Sequence, residues 1–178
     1  MAASNGPIRL RDATLADADL LNAWGRSPEA KGEFNDFGID PDEKALRETL
    51  AAGPLRNERN GQLIVERVVD GHPIGTVAWH EVHYGPPPLS RAWNIGISLI
   101  PEARGQGYGG TAQRLLADYL FEMTDANRVE ASTDVENHAE QRALEKAGFV
   151  REGIQRRAQF RAGAHHDLVT YSRLRDEL

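Results

Sequence analysis

The stretch that decides the fold is WNIGISLI-PEARGQGYGG-TAQRLLADYLFEM, residues 93–123. An apolar, β-rich run leads in, and the ten residues 101–110 then carry four glycines. In the run that leads out, Leu115, Leu116, Tyr119, Leu120 and Met123 recur at helical spacing, which predicts a helix over 111–123. A plain strand-to-helix turn needs one glycine; Gly105, Gly107, Gly109 and Gly110 exceed that need. One reading is a dinucleotide fingerprint, since Gly105, Gly107 and Gly110 fit G-x-G-x-x-G and Glu130 stands 20 residues further on. That pattern belongs to a fold of repeated parallel βαβ units. The other reading is an anion cradle, in which N–H groups at a helix start bind a pyrophosphate that approaches closely because glycine has no Cβ. A Walker loop is excluded, because no Gly-Lys-Ser/Thr follows.

The flanking sequence separates these readings. QLIVERVVDGHPIGTVAWHEV, residues 62–82, reads as a hairpin turning on Asp70-Gly71, and strand 92–100 follows it. Three antiparallel neighbours are therefore expected before the glycines. Upstream lie a strand from Ile8 to Arg11, a helix capped by Thr14 with Asp17, a loop over 25–38, and a helix from Asp40-Pro41 to about Ala52. Downstream come a strand at 128–135, a helix from Asn137 stopped by Gly148, and two strands over 151–163 and 166–174 joined near Gly163. Only the unit around the glycines predicts a parallel crossover. The expected fold is one mixed α/β (α+β) domain over residues 1–178, with a mostly antiparallel sheet, one parallel pair and about four helices.

Composition narrows the function. Of 178 residues, 40% are hydrophobic and 27% charged, which is globular; the net charge of −6 argues against nucleic acid and is mildly favourable for an amine partner. No cysteine is present, so thiol nucleophiles, thiolate metal sites and disulfides are excluded. The N-terminus shows no apolar targeting run and nothing approaches a membrane span, so a soluble, cytoplasmic protein without membrane partners is expected. His165-His166 beside Asp167 does not predict a metal site, because adjacent strand residues point to opposite faces.

The spacing Arg104-x-x-Gly107-x-Gly109, with the segment Asn137 to Phe149 and the closing strands, resembles the GNAT superfamily of acyl-CoA N-acyltransferases, in its ribosomal-protein N-terminal acetyltransferase branch. The resemblance implies acetyl-CoA as co-substrate, with no metal, and transfer of an acetyl group to a primary amine of a peptide N-terminus or small molecule. It leaves a homodimer open. By the same resemblance the coenzyme lies in a V-shaped opening between strands 92–100 and 128–133. Leu99 and Ile100 would contact its pantetheine arm. Arg104, Gly105, Gln106, Gly107, Tyr108, Gly109, Gly110 and Thr111 would hold its pyrophosphate, with Arg104 as a fixed cation. Asn137 would bond the coenzyme or cap its helix. The loop Glu33, Phe34, Asn35, Asp36, Phe37 would cover the acceptor, with the carboxylates attracting an ammonium.

The transfer needs a base or water relay, a donor for the carbonyl oxygen and an acid for the thiolate. For the base, His80 and Glu81 end the strand beside Asn94, and alternation puts only one of them in the cleft. Asn94 can orient a water but cannot take a proton. Where relatives carry a tyrosine acid this chain has Leu144, and where the ribosomal branch carries serine it has Glu140, which is ionised at neutral pH unless its pKa is raised. Two other classes stay open: a non-catalytic acyl-CoA-binding module and a nicotinamide oxidoreductase.

Overall fold

The computed structural model describes residues 3–177. Its strands are β1 (Ala3–Asn5), β2 (Ile8–Asp12), β3 (Asn60–Arg67), β4 (Pro73–His83), β5 (Arg91–Leu99), β6 (Arg128–Asp134), β7 (Val150–Arg161) and β8 (Ala164–Leu174). They form one sheet in the order β1-β2-β3-β4-β5-β6-β8-β7. Every pairing is antiparallel except β5 with β6. The helices are α1 (Ala18–Arg26), α2 (Pro28–Lys31), α3 (Glu43–Ala52), α4 (Tyr108–Met123) and α5 (His138–Lys146).

The two faces of the sheet carry different helices. Leu115, Leu116 and Phe121 of α4 and Leu144 of α5 share a core with Leu63, Val77, Trp93 and Val129. Leu21 of α1 and Leu50 of α3 pack with Ile64 on the other face. Strand β3 is thus buried on both sides, as a central strand with consecutive apolar residues should be. No helix among the described residues is long and apolar enough to cross a membrane.

The mixed sheet with one parallel pair matches the expected fold, and four details differ. Strand β1 adds an edge before the expected first strand. Helix α2 forms inside the expected loop because Ser27 caps it, accepting from Ala30 N–H at 3.1 Å, and Pro28 starts it. The β3–β4 connection is five residues rather than two: β3 ends at Arg67 and β4 begins at Pro73, and Val69 between them is 85% exposed. Helix α4 begins at Tyr108, three residues before the expected start, so Gly109 and Gly110 are helical.

Candidate active site

The site begins where β5 and β6 meet. They pair only at Trp93–Val129 and Asn94–Glu130, although β5 runs on to Leu99 and β6 to Asp134. Beyond that contact the two strands part, and the gap opens toward the glycine loop. Backbone direction along β5 follows from one bond: Ile100 N–H donates to the Ile74 carbonyl at 3.0 Å. Antiparallel pairing alternates, so Asn94, Gly96 and Ser98 bond toward β4, while Ile95, Ile97 and Leu99 turn their N–H and C=O groups toward the gap. Ile100 is therefore not a gap-facing residue; its carbonyl is also taken, by Ala103 N–H. Ile97 replaces it. The Ile97 carbonyl accepts from Asn35 Nδ2 at 3.4 Å, and that of Leu99 from Arg104 Nε at 2.9 Å.

The glycine loop closes the open end of the gap. Gly105 and Gly107 have φ of +74° and +82°, and a Cβ on either would meet nothing within 4 Å. They supply left-handed turns beside open space. Thr111 N–H donates to the Gly107 carbonyl, the first bond of α4, and the Thr111 hydroxyl bonds the same oxygen at 3.2 Å. The N–H groups of Gly107, Tyr108, Gly109 and Gly110 consequently have no acceptor inside the helix. No side chain caps them and the first turn holds no acidic residue, so the positive helix end faces outward uncompensated. Gly109 and Gly110 serve a second purpose. A Cβ on Gly110 would lie 3.0 Å from the Ala143 carbonyl, and one on Gly109 3.8 Å from Ala143 Cβ, so these two let α5 lie against α4.

Three residues expected at the coenzyme, Arg104, Gln106 and Asn137, have side chains bonded within the protein. The Arg104 guanidinium donates to the carbonyls of Leu99, Glu29 and Ala30, which ties α2 to the end of β5 and turns the cation away from the loop. Gln106 donates to the Glu102 carbonyl. Asn137 is the N-cap of α5: its Oδ1 accepts from Glu140 N–H at 3.2 Å and its Nδ2 donates to Thr133 Oγ1 at 3.0 Å. That arrangement stands the helix on the end of β6. Leu144 is fully buried in the core. Tyr108 packs half-buried against the same core.

Register places His80 and Glu81 on opposite faces of the sheet. His80 pairs directly with Asn94 and Asn60, and directly opposed residues share a face. That face carries α1, α2 and α3. Glu81 pairs with Trp93 and lies on the α4 face, where His83 Nε2 bonds it at 2.8 Å and holds its carboxylate below the usual range. Glu81 is thus set apart from Asn94. The loop over 32–38 lies across this side, beside a cavity of about 220 Å³ lined by Trp24, Lys31, Asn35, Gln62 and Ser98 among others. Phe34 stacks on Arg161 of β7, 5.3 Å from its ring centre, while Phe37 is 47% exposed. Asp36 accepts from Lys31 Nζ at 3.2 Å and from Gly38 N–H at 3.0 Å, and these bonds lower its pKa. Its charge is met within the loop segment, by Lys31 and the Gly38 N–H. Glu33 is exposed and forms no ion pair among the described residues. His166 turns inward to Asp134, 3.2 Å away, whereas His165 stacks on Phe160, so the two histidines do point apart.

The comparisons with known proteins meet this geometry. The acetyltransferase (GNAT) domain matches residues 8–150. The chain belongs to the GNAT acetyltransferase family. The GNAT proteins it resembles include a putative ribosomal N-acetyltransferase of Bacillus subtilis, YdaF, 34% identical over 61% of this chain and 57% of that protein, so the match spans little more than half of that relative. An uncharacterised N-acetyltransferase of the same organism, YoaA, is 26% identical over 92% of this chain and 90% of its own length. A spermidine N-acetyltransferase from Vibrio cholerae, solved with CoA and spermine, shares the fold at a TM-score of 0.81 and 21% identity, covering 97% of this chain and 98% of that one.

As a GNAT domain the chain is an acyl-CoA-dependent N-acetyltransferase. Sequence reading did not single out Ile97 because the direction of its backbone groups follows from register and not from side-chain type. It also set aside Glu140. In the folded chain, partial burial at the start of α5 pushes the Glu140 carboxyl up to about 7. The signal was a glutamate three residues after an N-cap asparagine, which reads as a capping pair and gives no hint of burial.

Proposed function

We propose that this GNAT chain acts as a single catalytic domain that acetylates a primary amine, of a peptide N-terminus or a small molecule, by direct attack on acetyl-CoA. The observation that carries the reading is the two-residue parallel contact, with an uncapped helix start at the open end of the gap it leaves. An anionic pyrophosphate suits the free N–H groups of Gly107 to Gly110. The amide groups of a pantetheine arm suit the gap-facing backbone of Ile97 and Leu99, once Asn35 yields the Ile97 carbonyl. The acceptor then approaches from the face that carries His80 and Asn94. His80 takes the proton the amine must lose, and Asn94 orients the amine or a relaying water. The amine nitrogen bonds to the thioester carbon, the C–S bond breaks, and its electron pair leaves on sulfur. The β4-β5 and β6-β8 pairings are antiparallel, which fits this ligand and not a dinucleotide bound in repeated parallel units.

Thermal denaturation with ligands tests the cradle, and steady-state turnover tests the chemistry. Acetyl-CoA at 100 times its Kd should add about 2.7 kcal/mol of stability, with no comparable effect from NAD. A panel of N-terminal peptides and polyamines should contain at least one acceptor that releases CoA. Stabilisation by NAD alone, or acetyl-CoA binding without turnover on the whole panel, would falsify catalysis as proposed.

A further inference from the structure

The loop over 32–38 crosses the gap, and two adjacent residues of it rest on opposite arms. Asn35 Nδ2 donates to the Ile97 carbonyl of β5 at 3.4 Å. Phe34 stacks on the buried guanidinium of Arg161, which donates to Asp134 at 2.7 Å. Asp134 is the last residue of β6. Asn35 thus ties the loop to one arm and Phe34 ties it to the other, beyond the point where β5 and β6 stop pairing.

The loop is built to swing as a unit. Gly32 and Gly38 bound it with φ of +71° and +69°, and left-handed glycines at both ends absorb changes of φ and ψ that a side chain would resist. Between them the loop holds its own shape. Asp36 accepts from Lys31 and from Gly38 N–H, and Asn35 N–H donates to the Gly32 carbonyl. The segment before the first glycine is anchored. The Arg104 guanidinium donates to the Leu99 carbonyl at 2.9 Å and to the carbonyls of Glu29 and Ala30 at 2.8 Å each.

The two ties to β5 are unequal. The Asn35 bond is longer than the usual N–H···O range of about 2.7–3.2 Å, and Asn35 is exposed, so water competes for it. Arg104 makes three charge-assisted bonds of ordinary length. An amide entering the gap exchanges the long Asn35 bond for one of its own, while Arg104 keeps α2 in place.

We propose that the loop over 32–38 is a strap across the gap, closed in the free protein by Asn35 on the Ile97 carbonyl and released when the pantetheine arm takes that carbonyl. This rests on the acetyl-transfer reading. Once Asn35 is displaced, the strap loses its hold on the β5 arm, and the side of the sheet that carries His80 and Asn94 opens to the amine. Coenzyme binding and acceptor access are thereby coupled through one side chain.

The test uses two ligands and one reporter. CoA carries the arm; 3′-phospho-ADP carries the pyrophosphate without it and cannot reach Ile97. By calorimetric titration, Asn35→Ala should bind CoA at least about twofold more tightly than the wild-type protein, the low end of what one hydrogen bond is worth. Its affinity for 3′-phospho-ADP should be unchanged, which a general loosening of the loop would not produce. The chain has no cysteine, so Phe37→Cys places a single thiol on the strap for a fluorophore. That signal should respond to CoA without any amine present, and not to 3′-phospho-ADP. Adding Asn35→Ala should move the free protein's signal toward the CoA-bound value. CoA affinity that is unchanged or weakened in Asn35→Ala, or a label that CoA does not move, overturns the strap while the acetyl-transfer reading stands. A wild-type protein that binds neither ligand overturns both.

Discussion

At the residue scale, the glycines of the loop divide into two kinds that look identical in the sequence. Gly105 and Gly107 are left-handed beside open space, whereas Gly110 is helical and pressed on the Ala143 carbonyl. The two kinds predict different failures. Gly107→Val places a branched side chain where φ is +82°, at a conformational cost of about 1–2 kcal/mol, and puts bulk where a phosphate would sit. It should remain folded and lose at least about tenfold in acetyl-CoA affinity, since a tenfold change needs only about 1.4 kcal/mol. Gly110→Val must push α5 away from α4; overpacking of this kind costs about 1–3 kcal/mol and should appear first as a lower Tm. Calorimetric titration and thermal melts of both variants check this. Identical behaviour of the two would mean that the glycines share one role.

At the element scale, strand alternation was legible and register was not. The sequence requires His80 and Glu81 to face opposite ways, but only the pairing of β4 with β5 places His80 with Asn94 and Glu81 with Trp93. His80→Ala should therefore lower kcat/KM by about 10²–10⁴-fold, the usual range for loss of a general base, while Glu81→Ala changes it little. The two rates, measured at a pH where the amine is partly protonated, decide the matter; equal losses would exclude a face-specific base. The loop over 32–38 shows the same limit. Its phenylalanines and carboxylates were readable, yet the Phe34–Arg161 stack and the Asp36–Lys31 pair join segments whose relation the sequence does not encode locally.

At the scale of the whole molecule, two carboxyl groups with opposite shifts set a pH window for stability. Arg11 donates to both Asp17 oxygens, at 2.8 and 2.9 Å, and with Thr14 lowers its pKa to about 2. This contribution is complete above the unfolded value of about 3.9 and is lost as pH falls through about 2. Glu140 works in the other direction. Its folded pKa, about 7, lies above the unfolded value of about 4.3, so the folded state holds the extra proton and stability falls as pH rises across that interval. From these two groups the maximum lies at about pH 4 to 5. In Tm measured across pH, Glu140→Gln should flatten the decline toward neutrality and leave the acid limb intact. A decline that persists in the variant would assign it to other groups.

The sequence by itself determined the order of the principal strands and helices, β1 and α2 excepted, the single parallel crossover and the glycine-rich start of α4. Periodicity, turn residues and glycine density are local properties, carried by the chain within one or two elements. Tertiary structure decided how far β5 and β6 remain paired, which backbone groups face the gap, and which glycines line it. It also decided that Arg104 bonds carbonyls and that Glu140 is partly withdrawn from water. Each of these depends on register or on the close approach of distant segments, and a one-residue slip in register would exchange the two faces of a strand. Partial burial likewise raises the Glu140 pKa, because desolvation disfavours the charged carboxylate.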